Sequence, residues 1–274
     1  MQLAWLSDIH LNFVREIETK AFESEYFQLI DCVLATRPDA VVISGDIAEA
    51  PDLCDCLESL QAGFGEMPIY FVLGNHDFYR GSIAQQRRRV ADFCATRQRL
   101  TYLTLQQAPI ALTDATSLIG HDSWADGRLG MYEWSDVLIA DYEYIEELTG
   151  LSKIERGQTL NSLGDEGAAH VRRLLPQALE LSDHILFVTH VPPFLDACLY
   201  RGQRSSPEWA PHFGCKCVGE TIVEIMRDQP GKQLTVLCGH THEPAEIHPL
   251  PNVTVLAAAA TYGQPILQRA LTVP

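Results

Sequence analysis

Positive charge is scarce in this chain of 274 residues. It has 20 Lys and Arg against 36 Asp and Glu, which gives a formal net charge of −16. A protein with a general affinity for nucleic acid needs a positive surface that displaces counterions from the phosphates, and an anionic membrane makes a similar demand. The composition therefore argues against both as partners. It leaves room for a small anionic substrate, because a bound metal ion can reverse the local sign of the charge.

Long apolar runs are also missing. Asp, Glu or Arg interrupts every hydrophobic stretch well before the ~20 residues that a membrane-spanning helix requires. The apolar segment at residues 3–6 is too short for the core of a signal peptide, and the first basic residue is Arg15. We therefore expect a cytoplasmic protein. We expect one domain over residues 1–274, because no repeat, low-complexity tract or linker divides the chain.

Several common signatures of chemistry are absent from the sequence. It contains no P-loop, no G-x-G-x-x-G motif and no serine in a G-x-S-x-G context. Its 8 cysteines include the pairs Cys54/Cys56 and Cys215/Cys217, whose spacing is C-x-C rather than the C-x-x-C of a zinc knuckle. We expect the cysteines to be reduced thiols with structural roles.

What the sequence does contain is an alternation of apolar runs with helical patterns. Apolar runs at 3–6, 40–43 and 69–73 predict buried strands, and the patterns at 16–35 and 53–60 predict helices between them. Further strands are predicted at 184–188 and 234–238, and further helices at 83–97, 162–181 and 218–227. We interpret the arginine run at 87–89 as a solvated helix face. Such alternation is typical of an α/β protein with a largely parallel sheet.

Two regions depart from this alternation. Short β-like runs at 101–105, 109–112 and 117–119 predict antiparallel strands, and with the β-like tail at 247–271 they could supply a second sheet. The stretch from about 121 to 161 is irregular and acidic. We interpret it as an insertion or cap near the mouth of a site.

Metal-ligand side chains follow five of the predicted strands. They are Asp8, His10, Asp46, Asn75, His76, His190, His240 and His242. In an open α/β sheet, ligands bind at the carboxyl ends of the strands, so these groups are expected to meet there. Asp8 and His10 are two residues apart, and in an extended chain their side chains would point to the same side. Glycines at 45, 74 and 239 precede three of the groups and would allow sharp turns.

The donor set suits two metal ions better than one. Without His76 it still exceeds the three or four ligands that a zinc-like site needs. Carboxylate, amide and imidazole donors together suit Mn²⁺, Fe, Co²⁺ or Zn²⁺, whereas Mg²⁺ and Ca²⁺ prefer oxygen. The sequence therefore predicts two divalent metal ions, with their identities open.

The order of these motifs resembles that of the calcineurin-like metallophosphoesterase superfamily, which includes bacterial phosphoesterases. The chain has D-x-H at 8–10, G-D at 45–46, G-N-H-D at 74–77, His190, and G-H-x-H at 239–242, in the family's order and over most of its length. The resemblance implies an α/β fold with two facing mixed β-sheets flanked by helices. It also implies hydrolysis of a phosphate ester by a hydroxide bridging two metal ions.

The resemblance implies separate roles for the ligand residues. Asp8, His10 and His242 would bind one metal ion, and Asn75, His190 and His240 the other. Asp46 would bridge the two ions and so take part in catalysis. His76 would not bind metal but would act on the substrate, by protonating the leaving oxygen or stabilising the developing charge.

The natural substrate stays open at this stage. We expect a phosphomonoester or phosphodiester of a small molecule, with a cyclic-nucleotide phosphodiesterase as an alternative. A non-catalytic binding scaffold with the same fold is the alternative from another class. Candidates for substrate contacts are Tyr79, Arg80, His121, Asp122, Ser123, Trp124, Arg201 and Arg204. A turn capped by Asp122 would explain the stretch at 121–124 equally well.

Overall fold

The computed structural model describes residues 1–16 and 19–274, and the side chains of 1–14 and 25–274. The strands in these residues are β1 (Gln2–Leu6), β2 (Ala40–Ser44), β3 (Ile69–Val72), β4 (Leu100–Tyr102), β5 (Ile110–Ala111), β6 (Thr116–His121), β7 (His184–Thr189), β8 (Leu199–Tyr200), β9 (Gln203–Arg204), β10 (Gln233–Cys238), β11 (Ala245–Leu250), β12 (Val253–Ala257) and β13 (Leu267–Thr272). The helices are α1 (Leu11–Glu16), α2 (Thr19–Ala35), α3 (Leu53–Phe64), α4 (Ile83–Ala95), α5 (Asp141–Tyr144), α6 (Lys153–Leu181) and α7 (Lys216–Met226). None of the described helices is long and apolar enough to span a membrane.

The strands form two mixed sheets and a separate hairpin. One sheet has the order β13-β1-β2-β3-β4, and the other has the order β11-β12-β10-β7-β6-β5. In the first sheet only β13 runs antiparallel, along β1. In the second sheet β5 and β11 are antiparallel edge strands around a parallel centre. Among the described strands, β8 and β9 pair only with each other. The predicted fold, two facing mixed sheets flanked by helices, is confirmed.

The core lies in three layers that follow from the alternation of side chains along each strand. In the first sheet, Leu3 and Val42 pack against residues of the second sheet such as Leu186. Their neighbours in sequence point the other way, toward α2, α3 and α4. The outer face of the second sheet packs against α6 and α7. Every residue of β2 is buried, which explains why the run at 40–43 is wholly apolar.

The structure corrects the predicted origin of the second sheet. The run at 101–105 contributes β4, which joins the first sheet parallel to β3, followed by a 3₁₀ turn. The last strand of the tail, β13, also joins the first sheet, beside β1. Apolar runs identify strands, but pairing depends on which sheet edge the chain can reach, and that is a tertiary property.

Two predicted helices have different bounds in the structure. The pattern at 16–35 corresponds to α1 and α2, and Ile17, which was part of that pattern, lies outside the described residues. Helix α6 begins at Lys153 rather than near 162, after a capping box in which Ser152 and Glu155 satisfy each other's backbone N–H groups. Asp165 and Glu166, which would lie in the first turn of a helix beginning near 162, therefore lie well inside α6.

A buried carboxylate, that of Asp122, ties the two sheets together below the ends of their strands. It is 0% exposed. Its Oδ1 accepts hydrogen bonds from Leu73 N at 2.8 Å and Thr104 Oγ1 at 2.7 Å. Its Oδ2 accepts from Tyr102 OH and from Arg87 Nε, the latter at 3.0 Å. The candidate role of Asp122 as a substrate contact is wrong, because both oxygens are occupied by the protein itself.

Arg87 and His121 belong to the same buried network. The guanidinium of Arg87 also donates to Glu166 Oε1 at 2.6 Å, so Arg87 is not part of a solvated helix face as the sequence suggested. His121 is buried, and its Nδ1 accepts from Ser123 N at 3.0 Å. Ser123 and Trp124 are buried as well. The candidate substrate contacts at 121–124 are therefore all interior residues.

Replacing Asp122 with Ala should unfold the protein more easily. The change leaves the buried Arg87 without this partner, and breaking a buried ion pair in this way costs about 3–5 kcal/mol. Urea denaturation followed by circular dichroism measures the loss. Asp114→Ala removes an exposed carboxylate and should change the free energy of unfolding by less than about 0.5 kcal/mol. Equal stability of the two variants would contradict the structural role of Asp122.

Candidate metal centre

The metal-ligand candidates lie just beyond the carboxyl ends of five strands. Asp8 and His10 follow β1, Asp46 follows β2, and Asn75 follows β3, all in the first sheet. In the second sheet, His190 follows β7, while His240 and His242 follow β10. The site therefore spans the edge that the two sheets share, as expected for ligands of parallel strands.

Most of these residues have a left-handed backbone. The φ angles are 50° at Asp8, 41° at His10, 53° at Asp46, 71° at His240 and 58° at His242. This region is sparsely populated by residues other than glycine and costs energy wherever it is imposed. Asp8 and His10 therefore do not converge through an extended chain, as the sequence suggested. They converge because the loop curls back on itself.

Hydrogen bonds between neighbouring loops, each donated by a backbone N–H group, hold this conformation. Asp8 N donates to Gly45 O at 3.0 Å, and His10 N donates to Asp46 O at 3.0 Å. His240 N donates to Asp8 Oδ1 at 2.9 Å, which ties the loop after β10 to the loop after β1. Clusters of strained backbone of this kind are typical of functional sites.

The three glycines of the motifs are required for two different reasons, backbone conformation at one position and lack of space for a side chain at the other two. Gly45 has a φ of 92°, which agrees with the predicted turn. Gly74 and Gly239 are there for space, because a Cβ on Gly74 would overlap the Asp46 carboxylate and one on Gly239 would overlap the Asp8 carboxylate. The carboxylates can approach the backbone only because these positions have no side chain.

One group of donors consists of Asp8, His10, Asp46 and His242. A ligand atom from each lies within 4.8 Å of those from the others. His10 Nε2 is 3.2 Å from His242 Nε2 and 3.7 Å from Asp46 Oδ2. His242 Nε2 is 3.4 Å from Asp8 Oδ1. Nitrogen and oxygen atoms that face one point in this way can share a cation.

A second group of donors meets on the other side of Asp46. His190 Nε2 is 2.9 Å from Asn75 Oδ1, and His240 Nδ1 is 3.0 Å from the same oxygen. His190 Nε2 is also 3.4 Å from Asp46 Oδ2, the oxygen that faces His10 in the first group. Asp46 thus stands between two sets of donors. The donor types and their placement fit two divalent ions, which the seven candidate ligands would hold.

Burial lowers the pKa values of the imidazoles, and the nearby carboxylates raise them. Burial lowers the pKa of His10 to about 3, and burial with the nearby His190 charge lowers the pKa of His240 to about 4. Burial also opposes the charge on His190, but the Asp46 carboxylate outweighs it and raises that pKa to about 10. Desolvation opposes the charge on Asp46, but the neighbouring imidazoles of His190, His76 and His10 together outweigh it and hold the pKa of Asp46 well below the ordinary value. The ionised Asp46 therefore attracts positive charge, which a metal ion can supply.

An aspartate from the segment at 121–161 orients the Asn75 amide, and no motif in the sequence pointed to it. Asn75 Nδ2 donates to Asp141 Oδ1 at 2.8 Å and to Tyr79 OH at 3.1 Å. Tyr79 OH in turn donates to Asp141 Oδ1 at 2.6 Å. Because Nδ2 is held on that side, Oδ1 faces His190 and His240. Tyr79, a candidate substrate contact, instead takes part in this arrangement.

His76 lies at the open side of the cluster. Its backbone N donates to Asp46 Oδ1 at 2.9 Å, while its ring lies 4.6 Å from the His10 ring between centroids. Tyr262 is a further residue at this position that the sequence did not reveal. Its hydroxyl is 3.4 Å from His76 Nε2, and its ring is 4.9 Å from that of His242. Tyr262 follows β12 in a loop without a ligand motif, so no sequence signal identified it.

The predicted arginines lie outside the cluster. Arg80 is exposed and pairs with Glu49, with Nε 3.1 Å from Oε2. Arg201 and Arg204 are exposed in the β8–β9 hairpin, and Arg204 Nε is 2.8 Å from Asp196 Oδ1.

A separate group contains Asp126, Cys215 and Cys217. Its carboxylate is already satisfied, because Asp126 accepts from Cys217 N at 2.9 Å and from Arg128 N at 3.0 Å. Burial raises the pKa of Cys215, which disfavours the thiolate that a metal needs. All 8 cysteines lie in the described part of the chain and are free thiols.

Two facing mixed sheets with carboxylate and imidazole donors at their shared edge define an α/β protein built to hold metal ions. Comparison with known proteins gives the family. The model of the calcineurin-like phosphoesterase family matches residues 1–244. The chain therefore belongs to the calcineurin-like phosphoesterases, and the resemblance of its motifs is confirmed.

Individual relatives are more distant. The DNA double-strand break repair protein Mre11 of Methanococcus maripaludis is 33% identical over 87 residues, which are 28% of this chain and 23% of that protein. A dimetal phosphatase from Danio rerio has a TM-score of 0.58 at 12% identity, covering 96% of this chain and 88% of the other. The protein TT1561 of Thermus thermophilus has a TM-score of 0.53 at 12% identity, covering 94% and 88%. At such low identity, the two structures show a shared fold.

Replacing Asp141 with Ala should weaken metal binding without unfolding the protein. The Asn75 amide would lose the acceptor that holds Nδ2, and loss of such outer partners typically weakens metal affinity by about 10–100-fold. Equilibrium dialysis against Mn²⁺ with elemental analysis measures the effect. Glu143→Ala is the matched control, because Glu143 is an exposed acidic residue of the same helix. Equal affinities in the two variants would show that Asp141 does not orient the ligand.

Proposed function

We propose that this protein hydrolyses a phosphate ester of a small molecule with the help of two divalent metal ions. The observation that supports this most directly is the position of Asp46 Oδ2, 3.7 Å from His10 Nε2 and 3.4 Å from His190 Nε2. One carboxylate oxygen thus faces donors from both groups. Membership of a phosphoesterase family gives the class of bond that is cleaved.

In this proposal the ligand residues divide as the family motifs imply. Asp8, His10 and His242 hold one ion, Asn75, His190 and His240 hold the other, and Asp46 bridges them. When bound, the ions supply the positive charge that binds the phosphate and activates a water molecule for attack on phosphorus. Mn, Fe, Zn and Co all fit this division of the ligands, since the mixed donors suit each of them.

In this proposal His76 transfers a proton. Its ring lies beside the donors but outside both groups, and its Nε2 is 3.4 Å from the hydroxyl of Tyr262. Its backbone N–H donates to Asp46 Oδ1, which fixes the position of the residue relative to the bridging carboxylate. In the proposed reaction His76 donates a proton to the departing oxygen of the ester. Tyr262 lies where it can orient that imidazole.

Small esters are favoured over nucleic acid as substrates. The Mre11 relative is named for DNA repair, but the present chain matches only 23% of its length. A net charge of −16 opposes the approach of a long polyanion, whereas a small phosphate meets mainly the local field of the metal centre. A cyclic nucleotide remains within the proposed class, as a small phosphodiester.

A substrate panel tests the proposed reaction. Protein loaded with Mn²⁺ should release phosphate from a phosphomonoester, release an alcohol from a linear diester, or open a cyclic nucleotide to the nucleoside monophosphate, and chelation by EDTA should abolish turnover. Measuring metal content in the same preparation separates an empty site from an inactive one. A protein that holds two Mn²⁺ ions per chain but cleaves none of these substrates would instead be a binding scaffold.

Replacing His76 and replacing Asp46 should have different effects on the activity and the metal content of the protein. His76→Ala should lower kcat by about 10²–10⁴-fold, the usual contribution of a general acid, while the bound metal stays near the wild-type amount. Asp46→Ala should lose metal and activity together. Elemental analysis beside steady-state kinetics distinguishes the two results. Loss of metal from His76→Ala would mean that His76 is itself a ligand.

A further inference from the structure

A pocket opens beside the metal centre, at the β8–β9 hairpin. Its volume is about 520 Å³, within the range of about 300–1,000 Å³ that is typical of small-molecule sites. The residues that matter here are Tyr200, Arg201, Arg204, Trp209, Phe213 and Thr241, all of which line it. The pocket has no part in the metal binding or proton transfer proposed above.

The pocket shares a wall with the metal centre. Thr241 lies in sequence between the candidate ligands His240 and His242 and lines the pocket. The ring of Phe213, another lining residue, lies 5.1 Å from the ring of His240 between centroids. The hairpin is also tied to the loop after β10, since Arg201 N donates to Glu243 Oε1 at 3.0 Å. A phosphate at the metals would therefore lie next to this pocket.

The walls of the pocket present aromatic surface to solvent. Tyr200 is 63% exposed and Trp209 is 46% exposed, although side chains of this size usually bury most of their area. Trp209 and Phe213 form a pair of rings with centroids 6.0 Å apart. Exposed aromatic surface around a concavity marks a binding site, and its flat faces suit another flat ring.

Arginine adds positive charge at the same place. Arg204 is neutralised by Asp196, with Nε 2.8 Å from Oδ1. Arg201 has no carboxylate within salt-bridge distance among the residues described, and its Cζ lies 5.2 Å from the centre of the Tyr200 ring. A guanidinium in this position can stack on an aromatic ligand or attract a negative one.

We propose that this pocket binds the organic part of the substrate, and that this part carries a planar aromatic ring, as in an aryl ester or a nucleotide base. The inference rests on the proposed phosphoesterase function, since it takes the phosphate to lie at the neighbouring metals. It narrows the substrate class to esters in which a flat ring lies close to the phosphorus. We expect Trp209 to contribute most, because it has the largest ring in the lining and pairs with Phe213, whose ring lies next to that of His240.

Kinetics with matched substrates test the assignment. Trp209→Ala in the Mn²⁺-loaded protein should raise KM for phenyl phosphate about tenfold, equivalent to about 1.4 kcal/mol. For glycerol phosphate, which has no ring, KM should change less than about twofold on the same scale. Trp134→Ala is the control, because Trp134 is 75% exposed and lies outside the pocket lining. An equal effect of Trp209→Ala on both substrates would overturn the proposal.

A binding measurement separates failure of this inference from failure of the proposed function. Phenylphosphonate and methylphosphonate cannot be hydrolysed as esters, and calorimetry gives their affinities for the Mn²⁺-loaded protein directly. We expect phenylphosphonate to bind more tightly, and Trp209→Ala to remove the difference. Equal affinities in the wild-type protein, or a difference that persists in Trp209→Ala, would overturn the aromatic pocket. Tighter phenylphosphonate binding without turnover of any ester would support the pocket while contradicting the enzyme.

The source of the ring can be read from competitive inhibition of phenyl phosphate hydrolysis at initial rate, or from the same calorimetry if the protein cleaves no ester, because the two probes are themselves phosphate esters. Adenosine monophosphate carries a nucleobase, whereas ribose 5-phosphate has the same sugar and phosphate without it. If the ring is a nucleobase, the monophosphate should bind more tightly, and Trp209→Ala should again remove the advantage. If phenylphosphonate shows the advantage and the nucleotide does not, the pocket takes a simple aryl group, which equally supports an aromatic substrate.

Discussion

The Asp46 carboxylate is the interaction on which both halves of the candidate centre depend. Its Oδ1 accepts the backbone N–H of His76 at 2.9 Å, and its Oδ2 faces imidazoles that follow β1 and β7. Burying a charge is costly unless it is paired and hydrogen-bonded, and here the pairing comes from His190 and the hydrogen bond from the backbone. The carboxylate has room only because Gly74 lacks a Cβ. A negative charge is thus held where it would otherwise be unfavourable, which prepares the site for a cation.

Hydrogen bonds between the surrounding loops hold the Asp46 carboxylate in place. The strained loops after β1 and β2 bond to each other through their backbones, and the loop after β10 donates a backbone N–H to the Asp8 carboxylate, so none of them can relax alone. Asp77 adds a second buried carboxyl group, which accepts from Ile47 N, Ala48 N and Gly74 N at 2.8–3.0 Å. It thereby locks the loop after β2 to the loop after β3. Its place in the motif is structural, and Asp122 connects the same region to the second sheet.

The segment at 121–161 was expected to cover the mouth of a site. In the structure it also contributes a direct hydrogen bond to a candidate ligand residue. Asp141 reaches the Asn75 amide, so a residue far along the chain sets the direction of a candidate ligand atom. The pocket at the β8–β9 hairpin comes from another irregular segment, around Trp209. The strands thus position the groups expected to bind metal. The loops between them supply the groups that orient those ligands and the surface that meets the rest of the substrate.

The sequence by itself determined most of the strands and the strand-end residues, because both follow from local patterns, and the two-sheet fold was implied by the resemblance of the motifs to a known family. Apolar runs mark strands, and each ligand candidate lies a few residues beyond one. Local pattern could not determine that β4 and β13 join the first sheet, that Asp122 is buried in a network, or that Asp141 and Tyr262 lie beside the ligands. Each of these depends on contacts between segments that are distant in sequence, such as Asn75 with Asp141. Only the packing of the sheets and loops decided these placements. The role of a side chain depends on its neighbours in space, and those neighbours are brought together only when the chain folds.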